Sequence, residues 1–113
     1  MTRLAVIGAG VMGETLISGL LRAGWAADAI TAADRHAPRL AEMESRHGIH
    51  TAATQDAAAG ADTVVIVVKP QDAGEVLPLV GAAIRPGTLV VSLCAGLSTH
   101  QIEAAMPDGT AVV

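Results

Sequence analysis

The sequence predicts an α/β fold: a doubly wound, mainly parallel sheet with helices on both faces. Three observations carry the expectation. Short apolar runs alternate along the chain with stretches of helical periodicity, the pattern of strands joined by crossover helices. The first run, Leu4-Ala5-Val6-Ile7, stops at glycines spaced G-x-G-x-x-G (Gly8, Gly10, Gly13), and a helical pattern follows at once. Thr63-Val64-Val65-Ile66-Val67-Val68 is β-branched and apolar throughout, as a strand covered on both faces must be.

In chain order, Arg3 to Gly8 reads as the first strand and Val11 to Ala23 as the first helix, whose Met12, Leu16, Ile17, Leu20 and Leu21 form one apolar stripe. Gly24 is its expected stop, with Arg22 favourable at the negative helix end and Glu14 at the positive one. Ala29 to Ala33 is a short second strand. Pro38 suits the first turn of a helix that passes through Leu40, Met43 and Glu44 and stops at Gly48. Ile49 to Ala52 is a short extended piece, and Thr54 is expected to cap a brief helix over residues 55–59. Thr63 to Val68 is the central strand. Gln71 to Ile84 is helical, with Pro78 expected to kink or split it. Pro86-Gly87 turns into a strand over Thr88 to Cys94. Ser98-Thr99-His100-Gln101 is a capping box opening a helix to about Met106, and Thr110 to Val113 begins another strand. The chain ends on that apolar strand, which reads as one Rossmann-like domain, 1–113, cut at its C-terminal end.

Composition excludes several function classes. With 113 residues, 51% of them apolar, the chain can build a single real core and is too apolar for disorder. No stretch is apolar for the ~18 residues a membrane span needs, and no secretory leader is recognisable, so a cytoplasmic location is expected. Net charge is −4, Lys69 is the only lysine and no basic run exists, which argues against nucleic acid. Cys94 is the only cysteine, and His36, His47, His50 and His100 lack ligand spacing, so neither a disulfide framework nor a metal site is expected. Phe and Tyr are absent. The usual aromatic walls of a substrate pocket are therefore missing, a first sign that the substrate site lies outside these residues.

The strand–glycine turn–helix is the arrangement that holds a dinucleotide. Gly8 permits the tight turn, Gly10 lets backbone approach a pyrophosphate, and Gly13 lets the helix pack against the strand. Ala9, Val11 and Met12 complete the turn, and the free N–H groups of the helix start face the phosphates. Asp34 stands twenty-one positions after Gly13, where an acid accepts hydrogen bonds from an adenosine ribose 2′-hydroxyl. Arg35 beside it can stack on adenine or grip a 2′-phosphate. The pair leans to NADH and leaves NADPH open. Lys69 reads either as a snorkelling strand-end residue or, with Pro70, as a corner of the cofactor site. Cys94 reads as a small buried hydrophobe, His100 as an exposed first-turn residue and Glu14 as structural. No catalytic residue is assigned.

Three blocks together give a resemblance. Gly8-Ala9-Gly10-Val11-Met12-Gly13 followed by Gly19-Leu20-Leu21, then Val67-Val68-Lys69-Pro70-Gln71, then Val91-Ser92-Leu93-Cys94-Ala95-Gly96-Leu97 resemble Δ1-pyrroline-5-carboxylate reductases across essentially the whole chain. The Val-Lys-Pro-Gln block is the more selective, because the glycine block is shared with many dehydrogenases. The resemblance implies hydride transfer from NAD(P)H to the C=N carbon of a cyclic imino acid, forming proline. It implies that the glycine turn holds the pyrophosphate, that Asp34 and Arg35 meet the adenosine ribose, and that Val68, Lys69, Pro70 and Ala95 flank the nicotinamide half. Thr54 stands where the family often has asparagine, on the adenosine side. A helical second domain, which in that family supplies the substrate loop and a homo-oligomer interface, is not represented in these residues. A related β-hydroxyacid or F420-type reductase, or a non-catalytic dinucleotide sensor, are the competing readings.

Overall fold

The computed structural model describes residues 2–94 and 96–113. Its strands, β1 (Leu4–Ile7), β2 (Ile30–Ala33), β3 (His50–Thr51), β4 (Thr63–Ile66), β5 (Leu89–Ser92) and β6 (Ala111–Val112), form one sheet in the order β3-β2-β1-β4-β5-β6. Every pairing is parallel, with Leu4 opposite both Ile30 and Thr63, so the sheet is wholly rather than mainly parallel. The helices are α1 (Val11–Arg22), α2 (Ala37–His47), α3 (Thr54–Ala59), α4 (Pro70–Ala83) and α5 (Thr99–Glu103).

Alternation along the central strands divides the core into two layers. Ala5, Ile7, Val64 and Ile66 face α3, α4 and α5, where Ala58, Leu77, Val80 and Ile102 meet them. Leu4, Val6 and Val65 face the other way, onto Ile17 of α1 and Met43 of α2. Both faces of β1 are therefore dry, which is why its sequence shows no polar alternation. Many of the packing residues are alanines, and small side chains let short helices lie close on the sheet.

Local signals fix the helix ends. Gly24 takes a positive φ and the N–H groups of Gly24 and Trp25 donate to the carbonyls of Leu21 and Leu20, a Schellman closure of α1. Gly48 ends α2 in the left-handed region. The Ser98–Gln101 capping box forms as expected, with the Gln101 N–H 3.1 Å from Ser98 Oγ and the Ser98 N–H 2.9 Å from Gln101 Oε1.

Two expectations are corrected. Thr54 does not cap α3: it is the first helical residue, Ala53 holds the cap position, and no side chain bonds there. Pro78 does not split α4, which runs unbroken over 14 residues. Pro78 removes one hydrogen bond to the carbonyl of Gly74 four residues earlier, but both residues lie on the exposed side of the helix. Water can serve that carbonyl, and a glycine at that position lets it tilt outward.

α4 passes so close to the turn after α5 that a Cβ on Gly81 would lie 2.0 Å from the Ala105 carbonyl oxygen. Gly81→Ala is expected to lower stability by about 1–3 kcal/mol. At Gly19 in α1 a Cβ would meet nothing within 4 Å. Gly19→Ala is therefore expected to raise stability by about 0.5–1 kcal/mol. Thermal melts of the two variants, read side by side, check both signs.

Candidate functional site

The crossover from β1 through α1 lies on one face of the sheet, and those through α3 and α4 lie on the other. Chain order thus reverses between β1 and β4, and the crevice beyond their carboxyl ends is the place an open parallel sheet offers a ligand. A cleft of about 600 Å³ occupies it, within the usual size of a small-molecule site.

The glycine turn forms its floor. Gly8 has φ +117°, and a Cβ there would lie 2.6 Å from the Val67 carbonyl oxygen, so both conformation and space demand glycine. Its N–H donates to the Ala33 carbonyl at 2.8 Å. Gly13 is buried, and a Cβ there would lie 2.1 Å from the Gly8 carbonyl oxygen, which is what sets α1 down on the end of β1. Gly10 is different. It has ordinary extended angles, and a Cβ there would meet nothing within 4 Å. No protein contact requires its smallness; it keeps the cleft open at the helix start. α1 has no side-chain cap, so its first N–H groups and positive dipole end are available to an anion.

Ala9 is held at both of its backbone groups. Its N–H donates to Asp34 Oδ2 at 2.7 Å, and its carbonyl accepts from Arg39 Nε at 2.6 Å. Burial by itself would raise the Asp34 pKa, but the N–H groups of Ala9 and His36, with the His36 ring, outweigh it and hold the carboxyl below its usual value. Arg39 is fixed in turn by Glu42 and Glu14. Glu14 also receives Arg46 and His47, at 2.6 and 2.9 Å. One carboxylate in the first turn of α1 therefore ties α1 to both ends of α2.

Across the cleft, Arg35 bonds Asp72 and Glu75 in the first turns of α4. Lys69 is exposed at the cap position of α4 and, among the described residues, has no carboxylate within ion-pair distance.

Of the residues expected at the site, Gly8, Ala9, Gly10 and Asp34 line the cleft, as do Arg35, Thr54, Val68 and Lys69. Val11 and Met12 are exposed outside its lining, Gly13 is buried beneath it, and Pro70 opens α4 beside it. Ala95 lies outside the described residues. The neighbouring Gly96 lies close to the Pro70 ring (3.7 Å from a Cβ at Gly96 to Pro70 Cγ), so the second and third sequence blocks meet. The Cys94 thiol donates to the Ile66 carbonyl at 3.3 Å, a structural rather than nucleophilic placement. His100 is exposed in α5. Among the described residues no cluster of His, Cys, Asp and Glu could hold a metal ion, and no helix is long and apolar enough to cross a membrane.

Pro38, Arg39, Glu42, Asp72, Glu75 and Leu79 also line the cleft and were not anticipated. Pro38, Arg39 and Glu42 follow β2 directly on α2, whereas for Asp72, Glu75 and Leu79 the signal is topological: only the strand order brings the start of α4 opposite the end of β2.

The family model described as "NADP oxidoreductase coenzyme F420-dependent" matches residues 3–96. The chain belongs to that family. The chain is 36% identical over 118 residues to the pyrroline-5-carboxylate reductase of Mycobacterium leprae, covering 100% of this chain and 40% of that protein. It is 38% identical to the Pseudomonas aeruginosa pyrroline-5-carboxylate reductase over 90% of this chain and 38% of the relative. A Coxiella burnetii pyrroline-5-carboxylate reductase structure superposes with a TM-score of 0.92 at 26% identity, covering 98% of this chain and 42% of the other. The chain thus spans about two fifths of the length of these relatives. The family description carries the name of the competing F420-type reading, whereas these relatives carry the name suggested by the sequence blocks.

Hydrogen bonds from His47, Arg39 and Arg46, in that order, pull the Glu14 carboxyl from 4.5 down to about 2 against a small opposing effect of burial. Between those values the folded state binds fewer protons than the unfolded chain. The stability this group contributes is therefore complete above pH 4.5 and is lost as pH falls toward 2. Glu14→Gln is expected to lower Tm at neutral pH and to flatten the Tm–pH curve across that interval. Circular-dichroism melts over the acid range check this; an acid limb unchanged by the substitution would place the linkage elsewhere.

Proposed function

We propose that these residues form an NAD(P)H-binding domain that supplies the cofactor half of a reductase converting 1-pyrroline-5-carboxylate to L-proline. The observation that carries the dinucleotide reading is Gly10. Its side-chain space is empty of protein at an uncapped helix N-terminus, on the floor of a cleft at the point where strand order reverses. The substrate reading rests on similarity to pyrroline-5-carboxylate reductases over nearly the whole chain.

In this reading residues 8–13 hold the pyrophosphate, with Val11 and Met12 offering their backbone N–H groups. Asp34 has lone pairs left for ribose hydroxyls, Arg35 and Thr54 border adenosine, and Val68, Lys69, Pro70 and Ala95 border the nicotinamide half. A bound nicotinamide supplies the hydride. The imine carbon gains that hydride, the electron pair of the C=N π bond moves to nitrogen, and nitrogen gains a proton. A protonated imine is already electrophilic, so the chain's task is orientation, and no catalytic acid, base or metal is assigned among its residues. The acidic charge balance supports a small-molecule substrate over nucleic acid. A cytoplasmic setting and a homo-oligomeric full-length protein, assembled through parts outside these residues, belong to the same proposal.

The family description favours one second reading, in which the hydride partner is a deazaflavin of the F420 kind. A panel of cyclic imines, β-hydroxyacids and F420 presented to the full-length protein separates the two.

The 113-residue protein is expected to bind NAD(P)H weakly, by calorimetry, and to turn over little or no pyrroline-5-carboxylate in an NAD(P)H absorbance assay. Robust proline formation by these residues alone would overturn the division of labour. Gly10→Val is expected to weaken nucleotide binding at least tenfold while costing no more than about 1 kcal/mol of stability, since only the helix start is affected. Unimpaired binding would remove the phosphate from the glycine turn.

A further inference from the structure

We propose that the cleft selects NADH over NADPH, and that the selection is exerted from α4, whose Asp72 and Glu75 hold Arg35 away from a 2′-phosphate. The inference rests on the dinucleotide reading of the cleft and deepens it, in a family whose description names NADP.

A 2′-phosphate adds a dianion beside the adenosine ribose, and a site that welcomes it needs an uncommitted cation there. Two guanidiniums stand at this end, and both are committed. Arg35 bonds Glu75 at 2.8 Å and Asp72 in the same grip. Arg39 bonds Glu14 and Glu42, at 2.8 and 2.9 Å, and spends its Nε on the Ala9 carbonyl. The carboxylates lining this end, Asp34, Glu42, Asp72 and Glu75, outnumber the two cations. Lys69, the cleft's remaining cation, stands between β4 and α4 and in the reading above borders the nicotinamide half.

The same arrangement suits a free 2′-hydroxyl. Asp34 Oδ2 takes the Ala9 N–H and keeps a second lone pair for a hydroxyl, while Oδ1 takes the His36 N–H and faces the His36 ring. Paired with two carboxylates, the Arg35 guanidinium still offers a planar face on which adenine can stack, in a chain with no Phe or Tyr to do so. Arg35 read by itself is a phosphate ligand; Arg35 read with Asp72 and Glu75 is not.

The test is calorimetric titration of the 113-residue protein with NADH and NADPH at matched ionic strength. NADH is expected to bind at least about tenfold more tightly at low salt, and the ratio to narrow as salt screens the repulsion. In Asp72→Asn/Glu75→Gln, Arg35 is released and the ratio is expected to fall about tenfold through a gain in NADPH affinity. Equal or tighter NADPH binding by the unaltered protein would overturn the proposal, and this comparison needs no variant. A ratio unmoved in the folded double variant would overturn the role of α4. Binding of neither nucleotide would instead overturn the dinucleotide reading, and this inference with it.

Discussion

The backbone of Ala9 is the fixed point of the site. One carboxylate takes its N–H and one guanidinium takes its carbonyl, both through charge-assisted hydrogen bonds, the stronger kind. These bonds come from the end of β2 and from α2, so the glycine turn is braced by the neighbouring crossover and does not depend on its own flexible backbone. Arg39 can serve only because Glu14 and Glu42 hold it, and Glu14 is itself positioned by the landing of α1 through Gly13. A glycine-rich turn has a large conformational entropy to lose. Here the loss is met within the fold, and the N–H groups at the start of α1 stand in place before any ligand arrives.

This explains how far the site could be read from the chain. The glycine turn, the Gly24 and Gly48 stops and the Ser98 capping box are local devices, each signal lying within a few residues of its effect, whereas Asp34 is legible through its spacing from Gly13, not through the bond it makes to Ala9 twenty-five positions away. Glu14 and Arg39 are twenty-five positions apart, and Arg35 and Asp72 thirty-seven, so no periodicity connects them. Asp72 reads as an ordinary first-turn acid of a helix and Glu75 as an exposed acid one turn further on. Their partner appears only when the sheet order puts the start of α4 across from the end of β2. Pro78 misled for the reverse reason. The proline rule is local, but its severity depends on whether the orphaned carbonyl meets core or water, which the tertiary structure decides.

Composition and function also meet in the absence of large flat side chains. Trp25 is the only aromatic residue and packs at the margin of the α1–α2 layer. The layers between helices and sheet are filled by Ala, Val, Ile, Leu and Met, which keeps the helices near the sheet and leaves the cleft walled by Pro38, Val76, Leu79 and charged groups. A cleft so lined has apolar surface but no Phe, Tyr or Trp plate, and the flat groups left to it are the Arg35 and Arg39 guanidiniums and the His36 ring.

The central position of β1 carries a consequence for how the protein comes into being. Its two neighbours in the sheet start at Ile30 and Thr63, so the innermost strand is made first but its second edge is covered only after some sixty further residues. Both pairings are parallel and long-range, the kind whose loop-closure entropy slows folding. Until β4 docks, the Val67 N–H cannot reach the Ile7 carbonyl, and the Val67 carbonyl that crowds Gly8 is not yet in place. On a growing chain, nucleotide-binding geometry is therefore a late property of an early segment. It is acquired only when the fold's two halves have joined.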